Sequence, residues 1–227
     1  MRVLLKLSGE VLGGAHGTGL DASTLTHFAT ILGKISQKHE LAIVTGGGNI
    51  MRGKMTKGLD RSKADQIGMM ATCINCMTLE QYLIANGSSA CAMSSVPSLA
   101  RHYDIWEARK LLSEKTIILI AGGTSNPYFT TDSAAALRAL ELKCDVLVKA
   151  TKVDGVYDSD PAKNANAKRF DKITFDEAIN RNLGVMDLTA MILCKENGLS
   201  LRVCSVERLS AFEGILNGSA RSTLVYV

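Results

Sequence analysis

Val3-Leu4-Leu5-Lys6-Leu7-Ser8-Gly9-Glu10 is a short aliphatic run that carries a lysine and ends in a glycine turn. The same grammar returns twice. Leu41 to Val44 runs into Gly46-Gly47-Gly48-Asn49-Ile50-Met51-Arg52-Gly53. Thr116 to Ala121 runs into Gly122-Gly123-Thr124-Ser125-Asn126-Pro127-Tyr128-Phe129-Thr130-Thr131-Asp132. Short aliphatic runs without polar alternation read as strands buried on both faces. Val146 to Lys149, Leu201 to Ser205 and Thr223 to Val227 extend the set, and Ser89 to Ser94 is a further candidate.

Between the strands lie amphipathic stretches. Asp21 to Ser36 reads as a helix with Leu25, Phe28, Leu32 and Ile35 on one face and Asp21 or Ser23 as its cap. A long helix is expected from about Asp65 to Ala85, with Ile67, Met70, Ile74, Met77 and Leu79 facing inward. Ile105 to Leu112, Thr131 to Leu142, Phe175 to Asn180, Met186 to Glu196 and Leu209 to Leu216 complete the helices, while Val156 to Arg169 is polar and turn-rich. Such alternation predicts an α/β fold: a three-layer αβα sandwich with a largely parallel central sheet, in a single domain over residues 1–227. Ligands of such sheets bind beyond the carboxyl ends of the strands, where the three glycine loops fall.

The composition narrows the function. The 227 residues are 46% hydrophobic, which supplies a core, and only 5% aromatic, which argues against base-stacking surfaces. A net charge of +4 without a Lys/Arg block suits small anions rather than nucleic acid. No apolar run approaches a membrane span, and the Lys6 interruption argues against a signal peptide, so a cytoplasmic protein is expected. Of six scattered cysteines only Cys73 and Cys76 form a C-x-x-C pair, inside a helical pattern and without zinc-like partners; they read as buried helix residues. The four histidines have no triad-like setting.

Glycine loops at strand ends let backbone N–H groups approach phosphate oxygens, and a following helix adds its positive end. Gly48 through Gly53-Lys54 fits most of a Walker A box, but Met55 stands where Mg²⁺ needs a hydroxyl, so a P-loop is not expected. Phosphoryl transfer needs cations around a loose transition state. Lys6 and Arg52 supply them, and Asp132 is placed to hold Lys6. An acceptor that is itself a phosphate, with a second pKa of about 6, needs no general base.

These motifs resemble the bacterial type of UMP kinase in the amino acid kinase superfamily. The resemblance rests on Lys6 to Glu10, Gly46 to Gly53, Asp65 with Gly68-Met69-Met70-Ala71-Thr72 and Asn75, and Asn126 to Asp132. It continues through Lys149 to Tyr157 with Asp160-Pro161, and Met186-Asp187. It implies the amino acid kinase fold and transfer of the γ-phosphate of ATP to UMP. Lys6, Leu7, Ser8 and Gly9 would contact ATP, with Gly48 and Arg52; Thr151, Tyr157 and Asp160 would line the rest of that site. Gly47, Arg52 and Asp65 would meet UMP, Asp65 through the ribose. Thr124, Ser125, Asn126 and Pro127, then Tyr128, Phe129, Thr130 and Thr131, would wrap its uracil and phosphate. Asp132 would orient Lys6. Residues up to about 130 would mainly form the acceptor site and the remainder the ATP site. Mg²⁺ would be held by phosphates and water, a hexamer is implied, and GTP and UTP are possible effectors. Ser125 departs from the family, which usually has Gly there. An alternative of the same fold is a kinase for a carboxylate or carbamate; another is a storage protein for oxyanion clusters.

Overall fold

The structure, a computed structural model, describes residues 1–51 and 57–227. Among these residues a nine-stranded sheet runs in the order β4-β3-β5-β2-β1-β6-β8-β9-β7. The strands are β1 (Arg2–Leu7), β2 (Glu40–Thr45), β3 (Ala90–Ser94), β4 (Arg101–His102), β5 (Ile117–Ala121), β6 (Val146–Thr151), β7 (Lys172–Thr174), β8 (Leu201–Ser205) and β9 (Thr223–Tyr226). Every neighbouring pair is parallel except β8 with β9. From β1 the chain moves outward to β2, β3 and the edge strand β4, comes back with β5 between β3 and β2, and then lays β6 against the other edge of β1. The β1–β6 boundary is therefore a topological switch point, where a crevice opens beyond the strand ends.

Helices cover both faces, as α1 (Ala22–Lys38), α2 (Arg61–Ala85), α3 (Ile105–Ser113), α4 (Thr131–Glu141), α5 (Phe175–Asn180), α6 (Leu188–Glu196) and α7 (Phe212–Asn217). Residues alternate faces along each strand. Val3, Leu5 and Leu7 of β1 pack with Leu25 and Leu32 of α1 and Leu79 of α2. Leu4 packs with Ala135, Ala136 and Ala139 of α4. The three alanines are fully buried, so α4 lies close against the sheet. Asp21 caps α1 by accepting the Thr24 N–H at 2.7 Å.

Two expectations are corrected. α2 begins at Arg61, with Asp60 as its cap accepting from Lys63 N at 3.1 Å, so Asp65 lies inside the helix. The large residues of α2 also divide differently. Ile67, Met70 and Ile74 are 45%, 46% and 47% exposed, while Ala71, Thr72, Cys73, Asn75, Cys76 and Leu79 face the core. Small residues let the helix approach the sheet and the first two glycine loops.

Candidate active site

Lys6 and Lys149 occupy paired positions on β1 and β6, on the face covered by α4. Two ammonium groups so close repel unless a carboxylate stands between them. Asp132, in the first turn of α4, supplies it. Its Oδ2 accepts from Lys149 Nζ at 2.7 Å. Its Oδ1 lies 2.9 Å from Lys6 Nζ, an ion-pair contact off the hydrogen-bond axis, so Oδ1 has no aligned hydrogen-bond donor among the described residues. Lys149 also donates to Val185 O at 2.7 Å. All three side chains are at most 15% exposed. Burial opposes ionisation of Asp132, but the Lys6 and Lys149 charges prevail and hold its carboxyl below the ordinary range. Burial draws Lys149 below the ordinary lysine value despite Asp132.

The starts of α4 and α6 converge on this cluster. Thr130 caps α4, accepting from Asp132 N at 3.1 Å and Ser133 N at 3.2 Å, and its hydroxyl donates to Asp187. Asp187 caps α6, accepting from Ala190 N at 2.9 Å, and takes Ser133 Oγ at 2.9 Å. Two positive helix ends and two lysines thus border one crevice, an environment suited to phosphate charge.

The first two glycine loops are in contact. A Cβ on Gly9 would come within 2.3 Å of Gly46 O, so only glycine permits this approach. Asn75 of α2 donates to Gly46 O at 2.7 Å and exchanges reciprocal amide bonds with Asn49 at 2.8 and 2.9 Å. Thr72 of α2 accepts the Gly122 N–H at 2.9 Å, tying in the third loop. A fully buried amide pair with every bond made fixes its neighbours' positions.

Between α2 and the third loop lies a cavity of about 620 Å³. Of the expected acceptor residues, Gly47, Asp65, Thr124, Phe129, Thr130 and Thr131 line it. Gly48, expected on the ATP side, lines it too. Ser125, Asn126, Pro127 and Tyr128 are not among its walls. Arg52 lies outside the described residues. Arg61, Gly68, Met69 and Thr72 also face the cavity; Gly68, Met69 and Thr72 sit in the motif that begins at Asp65, where the sequence reading assigned a site role to Asp65 alone, and Arg61 lies outside every motif. Asp65 Oδ2 accepts from Tyr128 N at 2.8 Å and Arg61 Nε at 2.8 Å. Burial pushes its carboxyl up, but these donors outweigh it and the net direction is down.

On the expected ATP side, Leu7 is fully buried in the core, so any contact there falls to its backbone. Tyr157 and Asp160 share a second cavity of about 450 Å³ with Val153, Gly155 and Leu183; Thr151, at the end of β6, does not line it. Tyr157 donates to Asp154 Oδ1 at 2.6 Å. Lys149, read only as part of a motif, is the cluster member that sequence reasoning passed over. Its signal was a lysine at the same strand-end position as Lys6. Cys73 and Cys76 are buried free thiols, 3.4 Å from Ser94 Oγ and Thr45 Oγ1, and burial pushes the Cys76 thiol up to about 12.

Comparison with known sequences decides the family: the sequence model of the amino acid kinase family matches residues 1–205. The chain belongs to the amino acid kinase family. Within that family it is 44% identical over 229 aligned residues to a uridylate kinase of Pseudomonas savastanoi, covering 99% of this chain and 93% of that one. The crystal structure of UMP kinase from Ureaplasma parvum superposes with a TM-score of 0.94 at 37% identity, covering 100% of this chain and 99% of that one. UMP kinase from Bacillus anthracis gives 0.93 at 33%, covering 99% and 95%. The amino acid kinase fold expected from the motifs is the fold observed. Among the described residues no helix is long and apolar enough to cross a membrane.

Proposed function

We propose that this amino acid kinase transfers the γ-phosphate of ATP to UMP, giving UDP and ADP for pyrimidine nucleotide biosynthesis. The observation that carries this reading is the Lys6–Asp132–Lys149 cluster opening beside a nucleotide-sized cavity whose walls include Asp65 and the third loop. Uridylate kinases aligned over almost the whole chain support it.

In this reading a UMP phosphate oxygen, already ionised near neutral pH, attacks the γ-phosphorus. The bond to the β,γ-bridging oxygen breaks, and ADP leaves with the electron pair. Lys6, aimed by Asp132, meets the charge spread over the transferred group, and Arg52 is assigned a second contact with it. Asp65 accepts from the ribose hydroxyls, and Gly47 allows close approach of the acceptor. Ser8, Gly9 and Gly48 offer backbone to the ATP phosphates, and Thr151, Tyr157 and Asp160 border the adenosine. Residues up to about 130 thus mainly serve the acceptor and the rest mainly ATP.

Mg²⁺ would be held by the nucleotide phosphates and water, where it would neutralise phosphate charge. The nearest carboxylates are already engaged, Asp132 by two lysines and Asp187 by two hydroxyls and a backbone N–H. We assign the protein to the cytoplasm and to a homo-oligomer, a hexamer by resemblance. The exposed Ile67, Met70 and Ile74 stripe supports self-association. GTP and UTP are its proposed effectors.

A coupled ADP-release assay with UMP, CMP, dUMP, AMP and GMP tests the reading, repeated with GTP and UTP added. Turnover with UMP well above the others is expected. Turnover with acetylglutamate, aspartate or carbamate and none with UMP overturns it.

A further inference from the structure

Arg202 of β8 and Lys172 of β7 both pair in register with Leu224 of β9, so the three side chains share a face near the edge of the sheet. It is the face opposite the lysine cluster. Arg202 pairs with Val148 and Lys149 with Val203, and successive residues alternate. Neither Arg202 nor Lys172 has a hydrogen-bond or ion-pair partner among the described residues. Their cationic neighbours are committed. Arg169 holds Asp171 at 2.5 Å, Phe170 O at 3.2 Å and the Ser222 carbonyl. Arg221 holds Asp154 at 2.9 Å.

These four cations, with Asp171 as the sole carboxylate, line a cavity of about 370 Å³ bordered by the 217–222 loop. The loop passes over the Arg202 guanidinium at Gly218, where a Cβ would stand 3.5 Å from Nη1 and where φ is +85°. Burial lowers the arginine pKa, as expected of a charge partly withdrawn from water without a counter-charge. Such a group is costly until an anion reaches it.

We propose that this pocket is a second anion site, apart from the catalytic crevice, that binds a phosphate group of a small soluble molecule through Arg202 and Lys172. Two uncommitted cations balance a dianion, the charge state a phosphate monoester approaches near neutral pH. The guanidinium fork matches two oxygens of a phosphate, and the ammonium adds a point charge. The cavity exceeds a bare phosphate and leaves room for what the phosphate is attached to.

The probe is inorganic pyrophosphate, titrated calorimetrically into the full chain with the crevice saturated by UMP and a non-hydrolysable ATP analogue. One site per chain is expected in the wild type. Arg202→Gln should weaken it at least tenfold and Lys172→Gln several-fold, with UMP turnover unchanged in both. Comparison with the variants assigns the site even if the crevice is incompletely blocked. No binding by the wild type, equal affinity in wild type and Arg202→Gln, or succinate binding as tightly as pyrophosphate each overturns the proposal. Should Arg202→Gln fail to fold, the exposed Lys172→Gln decides: unchanged affinity there overturns it.

Discussion

Lys6 and Lys149 stand side by side on adjacent parallel strands, and the carboxylate of Asp132 bridges their charges. The two lysines differ in what else they do. Lys149 is tied down by Val185 O, whereas Lys6 has only Asp132 among the described residues and is the one left to meet a ligand. Lys6→Met should therefore lower kcat by ~10²-fold or more, the scale of losing a preorganised charge at a transition state. Substrate binding should weaken far less, and stability should change little, since a repulsive neighbour of Lys149 has gone. Lys149→Met removes a lysine from the pair just as Lys6→Met does, but it also leaves the Val185 carbonyl without its donor, so it should cost about 1–3 kcal/mol more stability than Lys6→Met. Steady-state kinetics and denaturant melts of both variants check this; a folded Lys6→Met with normal kcat refutes it.

Asp132 makes the cluster sensitive to acid. Its folded pKa is depressed, so above the unfolded value of about 3.9 it contributes stability in full. That contribution disappears as pH falls through the lower folded value. Asp132→Asn leaves two neighbouring ammoniums uncompensated and should be less stable at neutral pH. The gap to wild type should stay level down to about pH 5 and narrow below pH 4, because carboxylates common to both proteins cancel in the difference. Denaturant melts from pH 7 to 3 measure it; a gap that widens in acid contradicts the assignment.

The strand and loop grammar was legible because strands buried on both faces are aliphatic almost throughout, as Val3 to Leu7 is apart from Lys6. β4 and β7 were not, since two and three residues carry no periodicity. The inward face of α2 was misread for a physical reason. Bulky Ile67, Met70 and Ile74 gave the apolar signal, but close packing on the glycine loops requires Ala71, Thr72, Cys73 and Asn75 there. Lys149 was overlooked because its significance lies in register with Lys6, which one strand read alone does not reveal.

Ser125 occupies the left-handed region at φ +68°, a conformation that favours glycine, and it is exposed. Ser125→Gly should raise stability by up to about 1 kcal/mol, the relieved backbone cost being partly offset by glycine's freedom in the unfolded chain. Thermal melts test it, and a loss of more than 0.5 kcal/mol, roughly the glycine penalty alone, speaks against strain at this turn.

Cys73 and Cys76 occupy core positions on α2 next to hydroxyls. Cys73→Ala with Cys76→Ala should leave UMP turnover within about twofold and cost only modest stability, because each change removes one small polarizable atom. Activity lost in step with bound zinc would contradict the packing role.

Asp65 offers the sharpest test of the acceptor site. It is not the cap of α2, since Asp60 performs that task. Its Oδ2 instead holds the Tyr128 N–H, where Tyr128 has a left-handed φ of +72°. Its Oδ1 has no protein partner among the described residues, and the side chain borders the cavity. A purely structural Asp65 would steady the third loop. Asn can still accept the Tyr128 bond, so Asp65→Asn would then lose little stability and leave kinetics unchanged. A ribose-binding carboxylate predicts a loss of roughly 1.5–3 kcal/mol in UMP affinity, the worth of a hydrogen bond to a charged group. That is a rise in the UMP KM of about ten- to a hundredfold, at 1.4 kcal/mol per factor of ten. The ATP KM should barely move, and the preference for UMP over dUMP should shrink, because the lost partner reads the ribose hydroxyls. Steady-state kinetics with UMP and dUMP separate the two roles. A normal UMP KM with an unchanged UMP-to-dUMP ratio would leave Asp65 as a loop support and require the ribose to be held by other walls of the cavity.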